Sequence, residues 1–116
     1  MQGRAIAKNI GMSARKMRLV IDQIRHQDVN AAYSILQVSK KAAAEPIDKA
    51  LWSAGASAVY RADESGEALD VDDLFVAEAF VDEGPTLRRY RAAAMGRAAP
   101  RRKRSSHVTV VVGKKE

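Results

Sequence analysis

Two stretches of strand-forming residues, Leu74-Phe75-Val76-Ala77-Glu78-Ala79-Phe80-Val81 and Ser106-His107-Val108-Thr109-Val110-Val111-Val112, bracket a long segment that holds few large apolar residues. Both are rich in β-branched and aromatic side chains, the composition that suits a pleated, half-buried surface. Pairing them antiparallel makes residues 84 to 104 the outer part of one hairpin. That loop far exceeds the usual two to five residues. With each half running about ten residues at about 3.3 Å per residue, it projects on the order of 30 Å. Its only large apolar side chains are Leu87, Tyr90 and Met95, so it cannot build a core of its own.

The charges divide at the same place. From Asp63 to Glu83 every formal charge is acidic: Asp63, Glu64, Glu67, Asp70, Asp72, Asp73, Glu78, Asp82 and Glu83. From Gly84 to His107 every one is basic: Arg88, Arg89, Arg91, Arg97, Arg101, Arg102, Lys103 and Arg104. The border at Glu83-Gly84-Pro85 implies one surface turned to solvent and another to a polyanion. The whole chain leans the same way, with 20 Lys and Arg against 14 Asp and Glu, a net charge of +6. Arginine outnumbers lysine in the arm by seven to one. A guanidinium fork makes paired, charge-assisted hydrogen bonds to phosphate and stacks on bases, so the expected partner is nucleic acid. A solvated basic loop is the competing reading.

At 116 residues the chain has room for one modest core. Residues 4 to 10 alternate Arg4, Ile6, Lys8 and Ile10 with smaller residues, as a short half-buried strand does. After Gly11, Ser13 offers an N-cap, and Ala14, Met17, Val20, Ile21 and Ile24 recur at helical steps. The opposite face carries Arg15, Arg18, Asp22 and Arg25; Asp22 at helical spacing makes a solvated face as good a reading as an RNA contact. Asp28 is a cap for a second helix with Val29, Ala32, Tyr33 and Leu36 as its stripe. Ser39 is a cap for a third helix reaching about Arg61, whose small-residue face (Ala43, Ile47, Ala50, Leu51, Ala54, Ala58) permits close approach. Pro46 inside that span predicts a kink or a late start.

No cysteine is present, which removes thiolate metal sites and thiol nucleophiles and fits a reducing compartment. No apolar run approaches the roughly 20 residues that span a bilayer, and the start lacks a signal-peptide layout. The expectation is an unprocessed cytoplasmic protein with no membrane partner and no obligate homo-oligomer. His26 and His107 are the only histidines, and the acidic residues show no ligand spacing, so no catalytic residue, metal or cofactor is expected. His107 reads as a hydrogen-bonding residue at the mouth of the arm, and Trp52 as a packing residue of the third helix.

The run from Phe80 through Arg89 (Phe-Val-Asp-Glu-Gly-Pro-Thr-Leu-Arg-Arg), then Gly96-Arg97-Ala98, then Lys103-Arg104-Ser105-Ser106-His107 and the valine-rich end, resembles the large-subunit ribosomal protein twenty-two family. So does Met12-Ser13-Ala14-Arg15-Lys16-Met17-Arg18-Leu19-Val20. The resemblance implies an α+β fold: three helices packed on a small antiparallel sheet, a body at 1–83 and 105–116, and an extended hairpin arm at 84–104. It implies a structural protein of the large subunit that binds ribosomal RNA early in assembly beside neighbouring ribosomal proteins. Its arm would line the nascent-peptide tunnel in a region associated with macrolide sensitivity. The residues expected to meet RNA are Arg4, Lys8, Ser13, Arg15, Lys16, Arg18 and Arg25 on the body. On the arm and its mouth they are Arg88, Arg89, Arg91, Arg97, Arg101, Arg102, Lys103, Arg104, Ser105 and His107. The tunnel-facing tip would be Tyr90, Arg91, Ala92, Ala93, Ala94 and Met95. The tip departs from the family pattern: Ala92-Ala93-Ala94 stands where Pro-Arg-Ala is usual, and Met95 replaces a polar or basic residue. Pro100 and Arg101 differ as well, and His26 stands where a helix-ending glycine is common. A free-standing architectural nucleic-acid-binding protein is the alternative function.

Overall fold

In a computed structural model that describes residues 2–67, 69–92, 94–96 and 98–114, three helices cover one face of a small sheet. The elements follow as β1 (Gln2–Ile10), α1 (Ala14–Ile24), α2 (Val29–Val38), α3 (Ala44–Glu64), β2 (Leu74–Glu83), β3 (Leu87–Ala92), β4 (Ala98–Lys103) and β5 (Ser106–Lys114). The body sheet is antiparallel in the order β1-β5-β2, and β3 and β4 form a separate two-stranded ribbon. This is the expected α+β architecture. Among the described residues no helix is long and apolar enough to cross a membrane.

β5 is central and carries the core. Val108, Val110 and Val112 are fully buried beneath the helices, against Met17, Ile21, Ile47 and Leu51. β2 keeps its apolar residues inward only because of a bulge: the register with β5 slips between Val76 and Glu78. An extra residue in one strand reverses which positions face the core. Leu74 and Val76 before the slip, and Ala79 and Val81 after it, therefore all point inward.

β1 inverts the simplest reading of its sequence. The large residues Arg4, Ile6 and Lys8 are exposed, while Gly3 is buried and Ala5 and Ala7 are partly buried against the core. The cause is α3, which meets β1 through its alanine face. A Cβ on Gly3 would lie 2.1 Å from the Ala54 carbonyl oxygen and 2.6 Å from the Ala58 nitrogen. Only small residues fit so close an approach.

α1 buries the five residues its periodicity picks out. Ser13 occupies the N-cap position of α1 and Asp28 that of α2, without side-chain cap hydrogen bonds. α3 does not start at Ser39, which instead ends α2 with its N–H donating to the Ile35 carbonyl at 3.1 Å. Starting at Ala44 puts Pro46 in the first turn, where its missing N–H costs nothing. The late start was one of the two outcomes Pro46 predicts. His26, just past α1, sits at φ 64, the left-handed region that a residue with a Cβ enters at some cost. Two backbone bonds hold it there: His26 N–H to the Val76 carbonyl at 3.1 Å and Val76 N–H to the Gln27 carbonyl at 2.8 Å.

Candidate nucleic-acid interface

The ribbon leaves the body through a short neck. β2 and β5 pair as far as Glu83 opposite Ser106, and the next ladder begins with Leu87 opposite Lys103. Three residues on the way out thus face two on the way back. The Gly84 N–H donates to the Ser105 carbonyl at 2.9 Å, and the Ser105 hydroxyl donates to the Pro85 carbonyl at 2.6 Å. Gly84 is the residue this crossing allows, since a Cβ there would lie 2.7 Å from Ser105 Oγ and 3.1 Å from the His107 ring. His107 is hydrogen-bonded at the mouth of the arm, as its position suggests: its Nδ1 accepts from the Asn9 N–H at 3.0 Å. Asn9 reaches it with φ at 58. Sequence reasoning did not single out Asn9, since a left-handed residue within a strand carries no periodic signal.

Beyond the neck the ribbon runs Leu87 opposite Lys103, Arg88 opposite Arg102, and on to Ala92 opposite Ala98. Its register holds through Pro100, opposite Tyr90. Proline is tolerated because each strand of a two-stranded ribbon is an edge. Arg88 and Arg102 are like charges directly across from each other, an arrangement that destabilises a ladder. Among the described residues, Arg88, Arg89, Arg102, Lys103 and Arg104 meet no carboxylate: the ion pairs seen, Arg25 with Asp22 and Lys49 with Glu45, lie on the body. Tyr90 is 73% exposed and Met95, at φ 61 in the tip turn Ala94–Gly96, is 98% exposed. Ala93 and Arg97 lie outside the described residues. The arm gives the molecule extents of 67 × 26 × 16 Å and a radius of gyration of 17.5 Å, against about 13 Å for a compact chain of this length.

At the base of the returning strand the arm meets α1. A groove of about 930 Å³ is lined by Gly11, Met12, Ser13, Arg15, Lys16, Arg102, Lys103 and Arg104. Five cationic side chains from positions almost ninety residues apart thus converge on one hollow beside the N-terminus of a helix. Such a termination presents free N–H groups and a partial positive charge, which suits a phosphate. The groove could not be read from the sequence, because nothing local links residues 11–16 to residues 102–104.

The rest of the cationic helix face also holds α1 to the sheet. Arg18 donates to the Val81 carbonyl from Nε at 3.2 Å and from Nη2 at 2.9 Å. Arg25 donates to the Ala79 carbonyl from Nε at 3.1 Å and from Nη2 at 2.9 Å, and from Nη1 to Asp22 at 2.7 Å. Both guanidiniums clamp α1 to the edge of β2, whereas Arg15 and Lys16 show no such bond among the described residues. Arg4 and Lys8 stand exposed on β1, on the sheet face away from the helices. Among the described residues, no group of three or more His, Asp or Glu is placed to hold a metal.

The model of the ribosomal protein L22p/L17e family matches residues 5–113. The chain belongs to that family. It is 47% identical to the large ribosomal subunit protein uL22 of Bifidobacterium longum strain DJO10A, over 116 residues that make up 100% of this chain and 98% of the relative. It is equally similar, at 47% over the same shares, to uL22 of Halothermothrix orenii, and 45% identical to uL22 of Bifidobacterium animalis subsp. lactis. The family is one of structural ribosomal proteins and not an enzyme class.

Proposed function

We propose that this chain is a non-catalytic constituent of the large ribosomal subunit that binds ribosomal RNA as a brace. Its body would seat on the RNA through the groove between α1 and the arm, while the ribbon passes between RNA segments and screens their phosphates. The observation that carries this reading is the ladder in which Arg88 faces Arg102 with no carboxylate in reach among the described residues. A ribbon of that kind is poorly stable alone and gains order when a polyanion neutralises it. Specificity would come from RNA shape, since phosphate contacts fix register without reading sequence. As in the family it resembles, the protein would join the subunit early in assembly beside neighbouring ribosomal proteins. Its tip, from Tyr90 to Met95, would face the nascent peptide in the exit tunnel.

The test is the affinity of the purified protein for large-subunit ribosomal RNA and for duplex DNA of equal length across a salt series. With about six phosphates neutralised, log affinity falls against log salt with a slope of about −4 to −5. Preference for the ribosomal RNA that survives moderate salt supports the reading. Equal affinities that vanish together would replace it with a free-standing architectural nucleic-acid-binding protein.

A further inference from the structure

α3 has a second apolar face that the core covers only in part: Gly55 is buried and Val59 half-buried against the core, while Trp52, Ala56 and Tyr60 are exposed. Its buried side runs through Ile47, Ala50, Leu51, Ala54, Ala58 and Ala62. Trp52, Gly55, Ala56, Val59, Tyr60 and Asp63 recur at three- and four-residue steps on another side, the spacing of one continuous helical stripe. Together with Asn30, Tyr33 and Val71 they line a groove of about 600 Å³. Trp52, expected to be a packing residue, is 60% exposed and lies stacked on Tyr33, with ring centroids 5.2 Å apart at 26°. Tyr60 is 65% exposed. Gly55 keeps the floor flat where Tyr33 crosses it, for a Cβ there would come within 3.3 Å of the Tyr33 hydroxyl.

The charge around this groove is opposite to that of the arm. Asp63 closes one end of the stripe, Glu64 and Glu67 follow it exposed, and Asp72 is hydrogen-bonded to Asn30 in the groove wall. Asp63, Glu64 and Glu67 meet no cation among the described residues. An apolar floor with an acidic end repels phosphates, so it is not a continuation of the RNA surface. A second copy seated face to face would bring the same lining, which offers Asp63 no cation.

We propose that the groove on α2 and α3 docks a cationic peptide segment of another protein, with an aliphatic or aromatic side chain over Tyr33 and Trp52 and a lysine or arginine toward Asp63. From Trp52 to Asp63 the stripe is about 17 Å long at the helical rise. That length holds about five residues of an extended segment. Exposed aromatic faces beside carboxylates also suit a guanidinium or ammonium stem, which buries its methylenes and stacks its charge on the ring.

Trp52 is the chain's only tryptophan, so its fluorescence reports this groove alone. The experiment titrates the full-length protein with an acetylated, amidated octapeptide alternating lysine and leucine, and with a control carrying glutamate in place of lysine. The lysine peptide is expected to shift Trp52 emission saturably, at a concentration about tenfold lower than the control, although the protein itself is cationic overall. Asp63→Lys should raise that concentration about tenfold and leave the melting temperature within about 2 °C, as befits an exposed position. Trp52→Ala, followed by calorimetry, should abolish binding of the peptide. The proposal is overturned by equal response to the two peptides, by no response, or by binding indifferent to Asp63→Lys. It is equally overturned by a Trp52 shift produced by ribosomal RNA or by protein concentration alone. None of these outcomes depends on whether the arm binds RNA.

Discussion

Replacing Gly3 with alanine adds one methyl group to the tightest contact in the body. In an unchanged structure that methyl would lie 2.1 Å from the Ala54 carbonyl oxygen, 2.6 Å from the Ala58 nitrogen and 2.8 Å from the Ala58 Cβ. The first two are helix backbone and cannot rotate away. An ordinary van der Waals contact needs about 3.5 to 4.0 Å, so β1 must retreat from α3 by well over an ångström, opening the interface that Ala5 and Ala7 share with it. Overpacking costs about 1–3 kcal/mol, and an immovable backbone places this case at the upper end, about 3 kcal/mol. At about 4 °C per kcal/mol for a chain of this size, the melting temperature should fall by about 12 °C. Gly11→Ala is the matched control, because a Cβ at Gly11 meets nothing within 4 Å. Thermal unfolding followed by circular dichroism, with urea midpoints as a check, measures both. A Gly3→Ala protein that melts within about 2 °C of Gly11→Ala would refute the claim that steric closeness to α3 dictates the small residues of β1.

The two kinds of α1 arginine should separate cleanly. Arg18→Ala removes a guanidinium that donates twice to the Val81 carbonyl and should cost about 1.5–3 kcal/mol in urea unfolding, whereas Arg15→Ala should change stability by less than about 0.5 kcal/mol while weakening RNA binding. Arg88→Ala with Arg89→Ala should lower the salt slope of RNA binding by about 1.5 and leave the melting temperature of the body nearly unchanged; a large fall in melting temperature would show that the ribbon supports the body. Asp48 supplies a pH test, because desolvation raises its carboxyl above the ordinary 3.8, with one oxygen buried and unpartnered among the described residues. The folded state then holds that proton more tightly than the unfolded chain, so ionised Asp48 detracts from stability at neutral pH and ceases to do so below about 3.8. Asp48→Asn should therefore melt higher than the parent at pH 7 and lose that advantage in acid, and equal melting at both pH values would sink the idea.

What the sequence made legible was whatever repeats along the chain. α1 could be read to the residue because Ala14, Met17, Val20, Ile21 and Ile24 follow the helical period and a single face is buried. The hairpin was legible because two valine-rich stretches flank a segment too cationic to be a core. β1 was misleading in its polarity: Ile6 looks like an inward position yet is exposed, and the close approach of Gly3 to α3 makes the small residues the buried ones. The fates of Arg15 and Arg18 could not be told apart, since both occupy the same helix face and only the position of the Val81 carbonyl distinguishes them. The basic groove was invisible for the same reason, being assembled from residues 11–16 and 102–104. Trp52 reads as a packing residue and does pack, on Tyr33 of α2, but on the outer side of the helix pair where it stays exposed.

The uneven neck sets the arm and the body out of phase by one position. In the body, partners across the hairpin run as Glu83 with Ser106; in the ribbon they run as Leu87 with Lys103, one step further along. Removing one residue from the outgoing side would join body and ribbon in a single uninterrupted ladder, with Leu87 still opposite Lys103 and Arg88 still opposite Arg102. Every charge and every pair within the ribbon would remain, yet the bend and added twist that one extra residue gives a paired strand would be lost between body and ribbon. The direction in which the arm presents its cations, relative to those of the body, is thus written into the number of residues in the neck as much as into the identity of the arginines beyond it.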